Sequence, residues 1–270
     1  MKIGSTLLFE AAFGGNPGCW PLPSAHSPHE LWLRAVAAAG QGRYASARSD
    51  LAALRRQQPA GPIASLAYSA QGSFLRQLGH HRPARGWDGR ALALARNNID
   101  DPRSAEAEND ALIGLAADAL GIGRLTASAQ FLERAKADFT DAHPARQPIR
   151  LAWVSAELAM AGGDGNTAVR NAKRGVELAG AAGTSRRHRI KSNVVLAAAL
   201  CSAGSLEQSR RVADSALADA GSHGLVPLQW ALACLLGDIG SDAHAPQVVA
   251  DIRAESAQLI TRRGGQWCGG

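Results

Sequence analysis

Aromatic residues, lysine and long apolar runs are all scarce in this sequence. Phe, Trp and Tyr together make up 5% of the 270 residues, so a core has to be built largely from Ala, Leu and Val. Alanine is the strongest helix former and lets helices approach closely. No stretch nears the ~18 consecutive apolar residues of a membrane span, and none alternates between hairpin turns as strands do. The cysteines Cys19, Cys201, Cys234 and Cys268 form no CxxC and have no histidines at zinc spacing. Cys201 and Cys234 fall inside apolar helical runs, where a thiol is a small hydrophobe. A soluble, cytoplasmic protein without metal or cofactor is the expectation. The apolar stretch 1–12 is short and interrupted by Glu10, which reads as a lead-in rather than a signal peptide.

Lysine occurs only at positions 2, 136, 173 and 191, so the net charge of +6 rests on arginine. With the alanine and glycine content, this fits the codon bias of a GC-rich, bacterial genome as well as it fits polyanion binding. Nucleic acid is therefore not the expected partner, and an RNA-binding solenoid stands only as a second alternative.

What the chain has in quantity is a recurring glycine turn. Gly42-Arg43-Tyr44-x-x-Ala47, Gly79-His80-His81-x-x-Ala84, Gly123-Arg124-Leu125-x-x-Ser128, Gly163-Asp164-Gly165-x-x-Ala168 and Gly204-Ser205-Leu206-x-x-Ser209 share one pattern, with a weaker copy at Gly240. Seven residues before each glycine stands a small residue: Ala35, Gly72, Ala116, Ala156, Ala197 and Ala233. Twelve residues after it come Leu54, Ala91, Ala135, Gly175, Ala216 and Ile252. Columns held in phase mark stacked supersecondary units.

Gly42-Arg43-Tyr44-Ala45-Ser46-Ala47, with Leu51, Leu54 and Pro59, resembles the turn, second helix and closing proline of a tetratricopeptide (TPR) repeat. The resemblance runs over about residues 28–263. It departs in period, since the family repeats every ~34 residues and most glycines here lie farther apart. Only the first repeat keeps the turn aromatic and the closing proline together. The resemblance implies an all-α solenoid of about six TPR-like helix pairs, binding a protein or peptide along its concave face.

Helix punctuation supports the pairs independently. Ser27-Pro28-His29-Glu30 reads as a capping box with proline in the first turn. Pro62, Pro102, Pro148, Pro227 and Pro246 mark further helix starts, with Asp101 as a cap before Pro102. The predicted pairs are 28–40 with 43–57, 62–78 with 83–96, 102–121 with 124–139, 147–161 with 165–181, 186–203 with 206–222, and 226–238 with 245–263. Residues 1–26 are expected as a disordered lead-in, 27–263 as one solenoid and 264–270 as a flexible tail.

Catalytic constellations do not emerge. His26-x-x-His29 and His80-His81 have no acids at ligand spacing, so they read as surface histidines rather than a metal site. Gly162-Gly163-Asp164-Gly165 lacks the strand and Lys-Ser/Thr of a phosphate loop. The chain reads as a non-enzyme.

Two features bear on binding. Arg186-Arg187-His188-Arg189-Ile190-Lys191 places cations at a helix N-terminus, where the dipole disfavours them. Either an anionic partner or solvent would compensate. Trp32, Trp153 and Trp230 each precede a turn glycine by ten residues, hence share one position on three first helices. Either they line the concave groove or they pack between helices. The candidate site is Trp32, Trp153 and Trp230 with Arg76, Arg150 and Lys191. Its expected partner is a protein or peptide, acidic or with a free C-terminal carboxylate. The Lys and Asn pattern of the carboxylate clamp known in some TPR proteins is absent, Asn193 being its lone candidate. The alternative function is a regulatory sensor that a small molecule or peptide closes. Ala197 is expected in a close helix contact, and Arg55 on an exposed face.

Overall fold

The computed structural model describes residues 3–97, 101, 103–137, 139, 143–181 and 185–269. Every regular element among them is a helix. After α1 (Ile3–Phe13), twelve helices form six antiparallel pairs: α2 (Pro28–Gly40) with α3 (Tyr44–Gln57), α4 (Pro62–Gln77) with α5 (His81–Arg96), and α6 (Ser104–Gly121) with α7 (Leu125–Ala137). Then come α8 (Arg146–Ala161) with α9 (Gly165–Ala181), α10 (Arg186–Ser202) with α11 (Leu206–Ser222), and α12 (Val226–Ile239) with α13 (Pro246–Arg262). Pro102 lies outside the described residues.

The local chemistry explains the boundaries. Ser27 Oγ accepts from the Glu30 amide at 3.2 Å, and Glu30 reaches back to the His26 amide at 2.7 Å. Each turn glycine, from Gly42 at φ 74 to Gly240 at φ 84, occupies the left-handed region, which residues with a Cβ rarely adopt. The column seven residues earlier is buried throughout, with Ala35, Ala116, Ala156, Ala197 and Ala233 all at 0% exposure. At two of them the second helix of the pair comes close: Ser209 Oγ donates to the Ala197 carbonyl at 2.7 Å, and the Ala84 carbonyl lies 3.4 Å from where a Cβ on Gly72 would stand. The later column is buried throughout from Leu54 to Ala216, while Ile252 is partly exposed. Ala245 of the weaker sixth turn is also exposed. Arg55 departs from its expected exposure: it is half-buried, its guanidinium 5.0 Å from the Trp87 ring and 5.4 Å from that of Tyr68.

Successive first helices also touch, α2 on α4, α4 on α6, α6 on α8, α8 on α10 and α10 on α12. They form an inner wall, with the second helices outside. The array then meets itself. The Ala45 amide donates to the Arg263 carbonyl at 2.9 Å, and Arg263 donates to the Gln41 carbonyl at 2.7 Å. Arg48 bonds the Gly264 carbonyl, the Cys268 amide bonds the Leu78 carbonyl, and His80 Nε2 donates to the Gln266 carbonyl. Gly42 is also tight against Ile260 and Pro227, 3.2 and 3.6 Å from where its Cβ would stand. First and last pairs are thus joined along a seam, and the solenoid is a closed ring.

The segments outside the repeat pattern take part in this closure, which differs from the lead-in and tail read from the sequence. In α1, Leu8, Ala11 and Ala12 are buried against α2 and α10. Beyond α1, the Gln41 side-chain amide donates to the Pro17 and Cys19 carbonyls, and Arg43 lies 3.7 Å over the Trp20 ring. Residues 264–268 form the seam. Neither segment carries a periodic signal, because its order comes from distant surfaces rather than from its own pattern.

Candidate functional site

The inner wall lines a half-open cavity of about 440 Å³. All six candidate residues line it: Trp32, Arg76, Arg150, Trp153, Lys191 and Trp230. The shared tryptophan position, ten residues before the turn glycine, therefore faces the interior. The three rings are not equivalent, however. Trp32 is 6% exposed and belongs to the core as much as to the wall. Trp153 and Trp230 are half-buried. The Trp153 ring stacks on His188 with centroids 5.3 Å apart, and its Nε1 donates to Ser192 Oγ at 2.8 Å. Trp230 packs against Trp267, centroids 4.3 Å apart.

The cations are held in three different ways. Arg76 bridges Asp88 and, at 2.9 Å, Asp118. Asp88 nests between Gly72 and Gly114, where any side chain would collide with its carboxylate. Burial pushes Asp88 up to about 7 against the pull of Arg76, with Asp118 adding to the rise. This carboxyl pair is enclosed behind Arg76 and does not reach the cavity. Arg150 shares Asp110 with Arg146, which also bonds Glu106. Burial would raise Asp110, yet Arg146 and Arg150 hold it below the usual carboxylate range. Lys191 lies 3.7 Å from Glu157 and 6.0 Å from the Trp153 ring centre.

Sequence reasoning missed several wall residues. Phe13 enters from α1, 5.3 Å from the Trp32 ring, and Trp267 enters from the tail. Arg146 lies 5.5 Å from both the Phe13 and Trp32 rings. Arg187 and His188 come from the basic run at the start of α10, which had signalled itself by its unfavourable dipole position. Only part of that run is solvated: Arg189 is exposed, whereas His188 is 4% exposed. Burial, then Arg187, Arg146 and Arg150, hold His188 well below the usual histidine range, so it is neutral.

Among the described residues no group of His, Cys, Asp and Glu could hold a metal ion, and no helix is long and apolar enough to cross a membrane. Fold and site together define an all-α, TPR-like solenoid closed around an aromatic and cationic cavity.

No family model matches the chain, and no curated protein is similar to it. Two solved structures from Podosopora anserina, described as a kinesin light chain with nearly identical TPR-like repeats, are similar in fold. One, a point variant, is 18% identical, covers 74% of this chain and 98% of its own, and gives a TM-score of 0.48. The other is 18% identical over 75% of this chain and 97% of its own, with a TM-score of 0.45.

Proposed function

We propose that this protein is a non-catalytic binding scaffold that takes a short peptide segment or a small organic molecule into the cavity at the centre of its ring. The observation that carries this is the cavity volume of about 440 Å³, within the ~300–1,000 Å³ usual for small-ligand pockets. Its walls combine aromatic faces with a few directed polar groups, the composition such pockets share. The seam between first and last pairs removes the open concave face that an extended peptide would need. This favours the sensor reading over an adaptor that holds a long partner segment. It also disfavours RNA, because part of the basic run at α10 turns into a space too small for a nucleic acid strand.

The test is a melting-temperature screen of the full chain against pooled short peptides and organic acids. A ligand that binds only the folded state raises the midpoint in proportion to its occupancy. Ala117→Phe, which intrudes on the cavity from α6, should abolish the shift. A partner protein bound equally by wild type and by Ala117→Phe, with no small stabiliser found, would move the function to the outer surface.

A further inference from the structure

Arg187 stands out among the cavity cations. Among the described residues it has no carboxylate partner, and its guanidinium makes one hydrogen bond, 3.3 Å to the Ala12 carbonyl. Its Nε is enclosed with no partner at all, as is Nδ1 of the adjacent His188. The Arg187 stem crosses Gly40, whose missing side chain leaves the room, with Cδ 3.0 Å from where a Cβ would stand. The surroundings are positive rather than compensating. Arg146 and Arg150 share Asp110, and the first turn of α10 adds its own positive end. Burial, followed by Arg150 and Arg146, lowers the Arg187 guanidinium to about 10. Arg187 is half-buried, and drawing a cation out of water beside two further guanidiniums, without a counter-charge, is unfavourable unless the deficit is made good.

Resting on the cavity being the ligand site, we propose that Arg187 and Arg150 form an anion subsite that receives a carboxylate or phosphate group of the ligand. The two guanidiniums supply charge-assisted donors of the kind that both anions accept. His188, on the same wall, adds no further cation to the subsite. The stacked Trp153 and the nearby Phe13, 5.9 Å from Arg187, give the apolar body of such a ligand a flat wall. The recognised molecule is thus an anion with an apolar portion, not a free inorganic ion alone.

The experiment measures melting temperature and affinity for the full chain, at constant ionic strength, with three probes. These are inorganic phosphate, the dipeptide N-acetyl-Leu-Phe as free acid, and the same dipeptide as its C-terminal amide. Phosphate alone raising the midpoint identifies a phosphate group. The free acid acting where its amide does not identifies a carboxylate. In either case Arg187→Gln should weaken binding by about tenfold or more, while Arg56→Gln on the exposed outer surface leaves it unchanged. Without ligand, Arg187→Gln should melt at the same temperature as wild type or higher, because it removes an uncompensated cation. The subsite is rejected if Arg187→Gln melts lower without ligand and neither anion responds to it. If the amide binds as well as the acid, to wild type and Arg187→Gln alike, the cavity remains a ligand site and the anion subsite alone falls.

Discussion

Asp88 shows how much a single carboxyl group depends on what its neighbours leave out. Gly72 and Gly114 make the space, and Arg76 supplies the charge. Its pKa in the fold, about 7, lies above the ordinary 3.8. The folded state therefore holds a proton that the unfolded chain releases. The resulting stabilisation is complete below about pH 4 and is lost as pH rises through about 7. Thermal melts between those limits should show the wild-type midpoint falling relative to Asp88→Asn, which keeps a neutral group at every pH. Parallel curves would mean that Asp88 is ionised throughout. The tryptophans separate at the same scale. Trp32→Ala should cost ~3–5 kcal/mol in denaturant unfolding, as large core truncations do. Trp153→Ala, half-buried and facing the cavity, should spare most of the stability and lose ~2 kcal/mol or more of ligand binding. Equal unfolding midpoints for the two variants would contradict the difference in their burial.

The helix pairs are the part of the molecule that the residues announce most directly. Predicted boundaries agree with α2–α13 to within one or two residues, because glycine turns, prolines and caps act locally. The in-phase small residues are all buried. Ala197→Leu, at 0% exposure, should therefore overpack the α10–α11 contact and cost ~1–3 kcal/mol in chemical unfolding. Arg211→Ala, on the exposed face of α11, should stay within about half a kcal/mol; the half-buried Arg55 would not serve as that control. The candidate site was half legible. One repeat position carries Trp32, Trp153 and Trp230, so its inward direction follows from the repeat. Phe13 and Trp267 depend on where non-repeating segments land, and no local pattern encodes a contact with a surface far along the chain; Arg187 was visible only as part of the basic run that opens α10.

Across the whole molecule, closure changes how disturbance spreads. In an open solenoid each repeat contacts only its neighbours, so trimming one end leaves the other untouched. Here the tail bonds Arg48, Leu78 and His80. Removing residues 264–270 should therefore accelerate amide hydrogen exchange in α3 and at the α4–α5 turn, as well as in α13. Exchange changed in α13 alone would show that the seam does not couple the two ends.

That seam also carries a clock. Its hydrogen bonds join residues 216 and 222 positions apart, whereas each helix pair forms from neighbours in the chain. Contacts so distant in sequence are slow to form, and closing long loops costs entropy that short ones do not. The pairs should assemble first and the ring close last. By the same reasoning the seam is the first place to part, and its parting widens the way into the cavity. Arg263→Ala, which removes the bond to the Gln41 carbonyl, should then shorten both the entry and the residence time of a ligand while changing its equilibrium affinity little. Stopped-flow tryptophan fluorescence would resolve this: faster rates in the variant make the join between the ends a gate, and unchanged rates mean that ligand passes through the mouth of the cavity instead.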